Sequence, residues 1–181
     1  LFRADLFKTS GHYFEFHDDM FWFEGDEGEE LGVKAMNCPG HCVVYGLHPR
    51  SYRELPFRVA EAGNLHRNEL SGVLHGLLRV RHFVQDDAHI FCTADQAEDE
   101  VLGCLDYAFF VYELFGFELR VELSTRPEKR IGADAEWDRA EAALANALRR
   151  YGIDFAVNEG DGAFYGPKID FDVTDAIGRK W

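Results

Sequence analysis

"HFVQDDAHIF", residues 82–91, sets two carboxylates, an amide and two histidines inside ten residues that otherwise read as a β-strand. Side chains at i and i+2 share a face of an extended chain. Phe83, Gln85, Asp87 and His89 therefore line one side, and Val84, Asp86, Ala88 and Ile90 the other. The first face reads as a ring platform followed by a polar grip. The second reads as mostly apolar packing, with Asp86 as its exception. The stretch looks like the floor of a site.

Working outward, "LPFRVAEAGNLHRNE" (55–69) reads as a second strand, and "LSGVLHGLLRVR" (70–81) as a loop with two glycines. Two strands around one loop make an antiparallel pair. Upstream, "HYFEFHDDMFWF" (12–23) and "ELGVKAM" (30–36) flank a polar, glycine-bearing hairpin tip, and the Pro-Gly of "CPGHCVVYGL" (38–47) opens a short helix. Downstream, Thr93 with Gln96 has the spacing of a capping box and starts a helix to about Phe115, with Gly116 as its stop. "FELRVELS" reads as a strand, 134–150 as a helix that Gly152 ends, and "DFAVNE" and "KIDFDVT" as strands. "DAIG" is a turn, and "RKW" the first residues of a return strand cut short, which suggests truncation. The fold class is α+β, a mainly antiparallel β-sheet flanked by helices. Neither a G-x-x-x-x-G-K-[ST] loop nor a G-x-G-x-x-G fingerprint is present, so a nucleotide must be held by side chains.

The 181 residues suffice for one domain, and 46% apolar with 14% aromatic content argues for a folded chain over a disordered one. No apolar run approaches the length of a membrane span, and four scattered cysteines read as reduced thiols in a cytoplasmic protein. The formal charge of −14 argues against sequence-independent nucleic-acid binding. From Arg50 to Arg81, however, six arginines face three acids, a local +3 that suits a small anion such as a nucleotide phosphate, or else a solvated loop.

Arg67 and Glu69 in "HRNE" sit two apart and so face one way. An arginine fork can hold a phosphate bidentately, and a glutamate one pleat away can accept from an amine or a ribose. An ordinary surface ion pair is the alternative. Arg79 and Arg81 share the parity of Phe83, so an arginine and a ring can sandwich a flat base, or arginine stems can simply cover a sheet face. Asp87 suits an ammonium group or a structural hydrogen bond. "CPGH" has C-x-x-H spacing, which pairs Cys38 with His41 as local zinc ligands, with His89 a second contributor or a core histidine. In "GAFYGPKIDF" (162–171), Tyr165 and Lys168 lie across a Gly-Pro turn, against a ligand or at the start of a strand.

These stretches, with "KTSGHY", "MNCPGH", "SYRELPFRVAEAGNLHRNELSG", "LHGLLRVRHFVQDDAHIFC" and "LSTRPEKRIG", resemble the threonyl-tRNA synthetase family of class II aminoacyl-tRNA synthetases along the whole chain. The combination of "MNCPGH" and "QDDAHIF" is the specific part. The resemblance implies a partial catalytic domain over 1–181, without motif 1, motif 3, the anticodon-binding domain or the editing domain. It implies a longer synthetase that activates threonine with ATP to threonyl-adenylate and transfers it to tRNA(Thr). Arg67 would bridge the α-phosphate and the amino-acid carboxylate, with Glu69, Arg79 and Phe83 as further ATP contacts. Met36, Gln85, Asp87 and Tyr165 would form the threonine pocket, with Lys168 nearby as a catalytic residue. His12 would serve transfer to the terminal ribose. Cys38 and His89 would ligate Zn²⁺, whose third protein ligand this chain lacks, while His41 would not. Mg²⁺, a homodimeric parent and a cytoplasmic location are implied as well. His82 and Val84 depart from the residues usual at their positions, on the face away from Gln85. The alternative expectation is a non-catalytic paralogue or fragment that binds ATP, threonine or tRNA.

Overall fold

The computed structural model describes residues 1–181. The chain forms two compact units, Leu1–Phe91 and Cys92–Trp181.

In the first unit the order is β1 (Phe2–Arg3), α1 (Ala4–Thr9), α2 (His12–Glu15), β2 (Trp22–Glu24), β3 (Glu30–Gly32), α3 (Cys38–Gly46), β4 (Phe57–His66) and β5 (His82–Phe91). A small antiparallel sheet runs β1-β3-β2, and the acidic, glycine-bearing tip joins β2 to β3 as expected. Residues 12–15 form a helical turn instead of extending the strand. Gly11, at φ 82°, supplies the left-handed bend from which that turn starts. The core of this part is aromatic. Phe7, Met20 and Ala35 are buried, with Phe2, Tyr13, Trp22 and Met36 packed on them, and Phe7 meets Phe2 and Trp22 edge-to-face.

β4 and β5 pair antiparallel over ten residues each, from Phe57↔Phe91 to His66↔His82. The register sets Leu65 opposite Phe83, Gly63 opposite Gln85, Glu61 opposite Asp87 and Val59 opposite His89. The predicted alternation is present, but the enclosed face is the polar one. Phe83, Asp87 and His89 are half-buried and Gln85 in the same row is exposed, whereas on the other face Val84, Asp86 and Ala88 are exposed, Val84 to 59%, and Ile90 is half-buried. Expected apolar packing on the Val84 face is therefore corrected, because Gly63 and Leu65 on β4 are buried on the other side. A second correction concerns the arginines. Strand geometry stops at His66 and begins again at His82; Arg67 and Arg81 continue the ladder by one step, but Glu69 and Arg79 lie beyond it and strand parity does not apply to them.

The second unit contains α4 (Ala97–Leu114), β6 (Leu119–Ser124), α5 (Asp134–Tyr151), β7 (Phe155–Asn158) and β8 (Lys168–Val173). The backbone N–H of Thr93 donates to Gln96 Oε1, one arm of the predicted capping box, and a 3-10 turn at Ala94–Gln96 leads into α4. Gly116 and Gly152 follow the two helices with φ of 68° and 81°. The sheet order is β7-β6-β8, with β8 antiparallel to β6 and β7 parallel to it. The parallel pair follows from connectivity, since α5 carries the chain back to the starting end. Leu105, Val121, Leu123 and Leu148 form the buried centre between helices and sheet. "RKW" does return, as Val173 and Trp181 exchange backbone hydrogen bonds at 3.0 and 2.9 Å.

Candidate active site

The enclosed face of β4 and β5 carries the candidate site of the first unit. At one end the Arg67 guanidinium lies 5.1 Å from the Phe83 ring centroid, and its Nε donates to the Ala35 carbonyl at 3.3 Å. The ladder extends one step beyond the strands through Arg67 N–H to the Arg81 carbonyl, which holds that backbone in place. The arginine over the ring is thus Arg67, not the expected Arg79 or Arg81. Those two gather on Glu69 instead. Arg79 Nη2 donates to its carboxylate at 3.0 Å and Arg81 Nε to its backbone carbonyl at 2.9 Å. The ion pair considered for Arg67 and Glu69 is formed by Arg79.

Farther along, Asp87 Oδ2 accepts from the Asn37 side-chain amide at 2.9 Å, and Asp87 Oδ1 lies 4.0 Å from His89 Nδ1. Glu61, directly across the ladder from Asp87, accepts from Lys34 Nζ at 2.8 Å. Two facing carboxylates destabilise a sheet pair, and here each has its own donor. The imidazoles of His41 and His89 meet Nδ1 to Nδ1 at 2.6 Å, so one donates and the other accepts. Burial pushes the His89 pKa down, with Asp87 opposing and His41 adding to the effect. Burial raises the Cys38 thiol pKa, and the charge of Asp87 raises it further, so Asp87 lies between electrostatic reach of the thiol and the imidazole. Met36 packs at the edge of the aromatic cluster. His12 opens α2, is 6% exposed, and has Nδ1 2.9 Å from Ser10 Oγ; burial lowers its pKa against the opposing effect of a hydrogen bond to the Ser10 backbone.

This arrangement, a cationic fork over a ring beside a polar floor, stands on a fold that is found in known proteins. The model of the class II tRNA synthetase core domain (G, H, P, S and T) matches residues 21–181. The chain belongs to that family. It is 56% identical to the threonine–tRNA ligase of Thermotoga maritima over 181 residues, all of this chain and 28% of that protein. It is 55% identical to human threonine–tRNA ligase 1, cytoplasmic, over 99% of this chain and 25% of that protein. The crystal structure of the RNA binding domain of threonyl-tRNA synthetase from Cryptosporidium parvum Iowa II superposes with a TM-score of 0.91 at 53% identity, over 99% of this chain and 45% of that one. The chain therefore spans about a quarter of the length of the curated relatives it matches. The synthetase core fold expected from the sequence is present, and no helix is long and apolar enough to cross a membrane.

The remaining two candidates of this synthetase core lie in the second unit. Tyr165, on the turn before β8, is 57% exposed and meets Phe164 edge-to-face. Lys168 begins β8 and donates to Asp170 at 2.9 and 3.0 Å and to Asp161 at 3.2 Å. Burial works against its charge, but those hydrogen bonds outweigh it and raise the pKa. For the implied zinc, no three His, Cys, Asp or Glu side chains are grouped to hold a metal ion. The donors that fit in kind are a half-buried thiol, Cys38, and an imidazole, His89, two of the three protein ligands a catalytic zinc takes. The local Cys38–His41 pairing gains no third partner, and His41 is instead committed to His89.

Sequence reasoning missed Asn37, Lys34 and Glu61. Gly63 was the available signal: a glycine inside a strand marks a close approach, and Asn37 lies against it. A Cβ at Gly63 would stand 2.5 Å from the Asn37 amide nitrogen.

Proposed function

We propose that the full-length protein activates threonine with ATP and transfers it to tRNA(Thr), in the cytoplasm and as a homodimer. The observation that carries the reading is the continuous face of Arg67 over Phe83 followed by Gln85, Asp87 and His89. The names of relatives at 55–56% identity support it, and the RNA binding domain of a solved relative supports tRNA as partner.

In this reading the threonine carboxylate attacks the α-phosphorus in line and the bond to pyrophosphate breaks. The protein's task is charge neutralisation and positioning. Arg67, whose charge is permanent, bridges the attacking carboxylate and the α-phosphate. Glu69, Arg79 and Phe83 hold the nucleotide, and Gln85, Asp87 and Met36 hold threonine, with Asp87 accepting from its amino group. His12, neutral through burial, accepts the proton of the tRNA ribose hydroxyl. Cys38 and His89 would hold zinc, which when bound would supply a Lewis acid for the amino and hydroxyl groups, and magnesium would neutralise charge on the phosphates.

Threonine-dependent ATP–pyrophosphate exchange by the full-length protein is the test. Exchange with serine or proline but not threonine sinks the assignment. Arg67→Ala should lower exchange by about 10²-fold or more; retention within a few-fold removes Arg67 from the phosphate. Metal analysis should find one zinc per chain, lost in Cys38→Ser and His89→Ala. For the 181-residue stretch alone we propose ligand binding without turnover, supported by its covering about a quarter of its relatives' length; exchange by the isolated stretch would overturn this.

A further inference from the structure

Asn37 precedes α3, one residue before Cys38, and is 1% exposed. Its Nδ2 donates to Asp87 Oδ2 at 2.9 Å, while its Oδ1, equally buried, has no hydrogen-bond partner. Buried polar atoms are nearly always paired, so an orphan asks for a reason. The amide cannot be turned over to relieve it, because Oδ1 would then face the Asp87 carboxylate, acceptor against acceptor. Asp87 therefore dictates the orientation, and the unsatisfied oxygen is its cost. A group kept at such a cost is holding something in place.

What it holds is visible in the register. Gly63 pairs with Gln85, and Glu61 pairs with Asp87. Asn37 sits on Gly63, where a Cβ would lie 2.5 Å from Nδ2 and 2.6 Å from Oδ1. It thus occupies the floor beside the two residues assigned to threonine. Asp87 faces another carboxylate across the ladder, and without a tie its own carboxylate would rotate away from Glu61. Lys34 ties Glu61; Asn37 ties Asp87.

We propose that Asn37, seated on Gly63, is a positioning residue that fixes the rotation of the Asp87 carboxylate and so sets affinity for the amino group of the amino acid. The inference rests on the reading of Asp87 as the site of the amino group. Gly63 is its second half: any side chain there displaces Asn37 without deleting a donor.

The test is ATP–pyrophosphate exchange by the full-length protein, titrating threonine and ATP separately in Asn37→Ala, Gly63→Ala and Asp87→Asn. Loss of a hydrogen bond to a charged group predicts a threonine KM raised about tenfold or more in Asn37→Ala and Gly63→Ala, with the ATP KM unchanged. Should Asn37→Ala fail to fold, Asn37→Ser and Gly63→Ala decide by the same measure. A parental threonine KM in the Asn37 variant beside a raised one in Asp87→Asn overturns the positioning role alone. A parental threonine KM in Asp87→Asn overturns the amino-group reading and this inference with it. A fall in kcat with both KM values unchanged marks a merely structural asparagine, and overturns it too.

Discussion

At the scale of single residues, alternation decided which side chains share a face but not which face is covered. Phe83, Gln85, Asp87 and His89 were legible as one row because the strand period is two. That Val84 lies open was not, because burial depends on what packs across the sheet. Nor were Asn37 and His41 legible as partners of Asp87 and His89, since those contacts join residues 50 and 48 positions apart. Phe83 affords a sharp prediction at this scale. The ring offers a flat face, and the Arg67 guanidinium rests on it. Phe83→Leu keeps the bulk but removes the π-face, worth about 0.5–2 kcal/mol in a cation–π contact. The ATP KM for exchange should therefore rise roughly 2- to 30-fold, with the threonine KM unchanged. A Phe83→Leu enzyme with the parental ATP KM would exclude the ring from nucleotide binding.

Among elements, the strands and helices with local signals were read from sequence: capping spacing at Thr93, glycine stops at Gly116 and Gly152, alternation in β4 and β5. The parallel pairing of β6 with β7 was not, because pairing direction is set by the path through α5 rather than by either strand's residues. What fastens α5 near β6 was also hidden. Arg126, two residues beyond β6, donates to Glu141 through Nε at 3.0 Å and Nη2 at 2.7 Å, and its backbone N–H donates at 2.8 Å. The Arg126 side-chain hydrogen bonds hold the Glu141 pKa below the ordinary 4.5, against the opposing effect of burial. A carboxylate with a depressed folded pKa contributes stability above its unfolded pKa and loses it as pH falls through the folded value. Glu141→Gln should therefore lower the thermal midpoint at pH 7 and make little difference well below pH 4.5, where the parent's carboxylate is protonated as well. A midpoint deficit that stays constant across that range would show that the charge is not what holds the helix.

For the molecule as a whole, composition promised enough apolar residues for a core, and the hydrophobic clusters are distributed between two compact units. The division at Phe91 and Cys92 carries no glycine, proline or charge run, so nothing local marks it. The core of the second unit depends on a few fully buried side chains. Leu148 on α5 is wholly inaccessible and packs in the cluster with Leu105, Val121 and Leu123, whereas Val157 on β7 is 54% exposed. Removing a buried leucine side chain loses its transfer free energy and leaves a cavity, together about 2–5 kcal/mol. An exposed position away from special features tolerates change within about 0.5 kcal/mol. Denaturant unfolding followed by the fluorescence of Trp137, buried on the same helix, should therefore show a large loss for Leu148→Ala and almost none for Val157→Ala. Equal small losses would mean that the α5 face is not the core of this unit. A large loss confined to Leu148→Ala places the stability of the Lys168 strand in the packing behind it, since Ile169 and Phe171 of β8 lie against the same cluster.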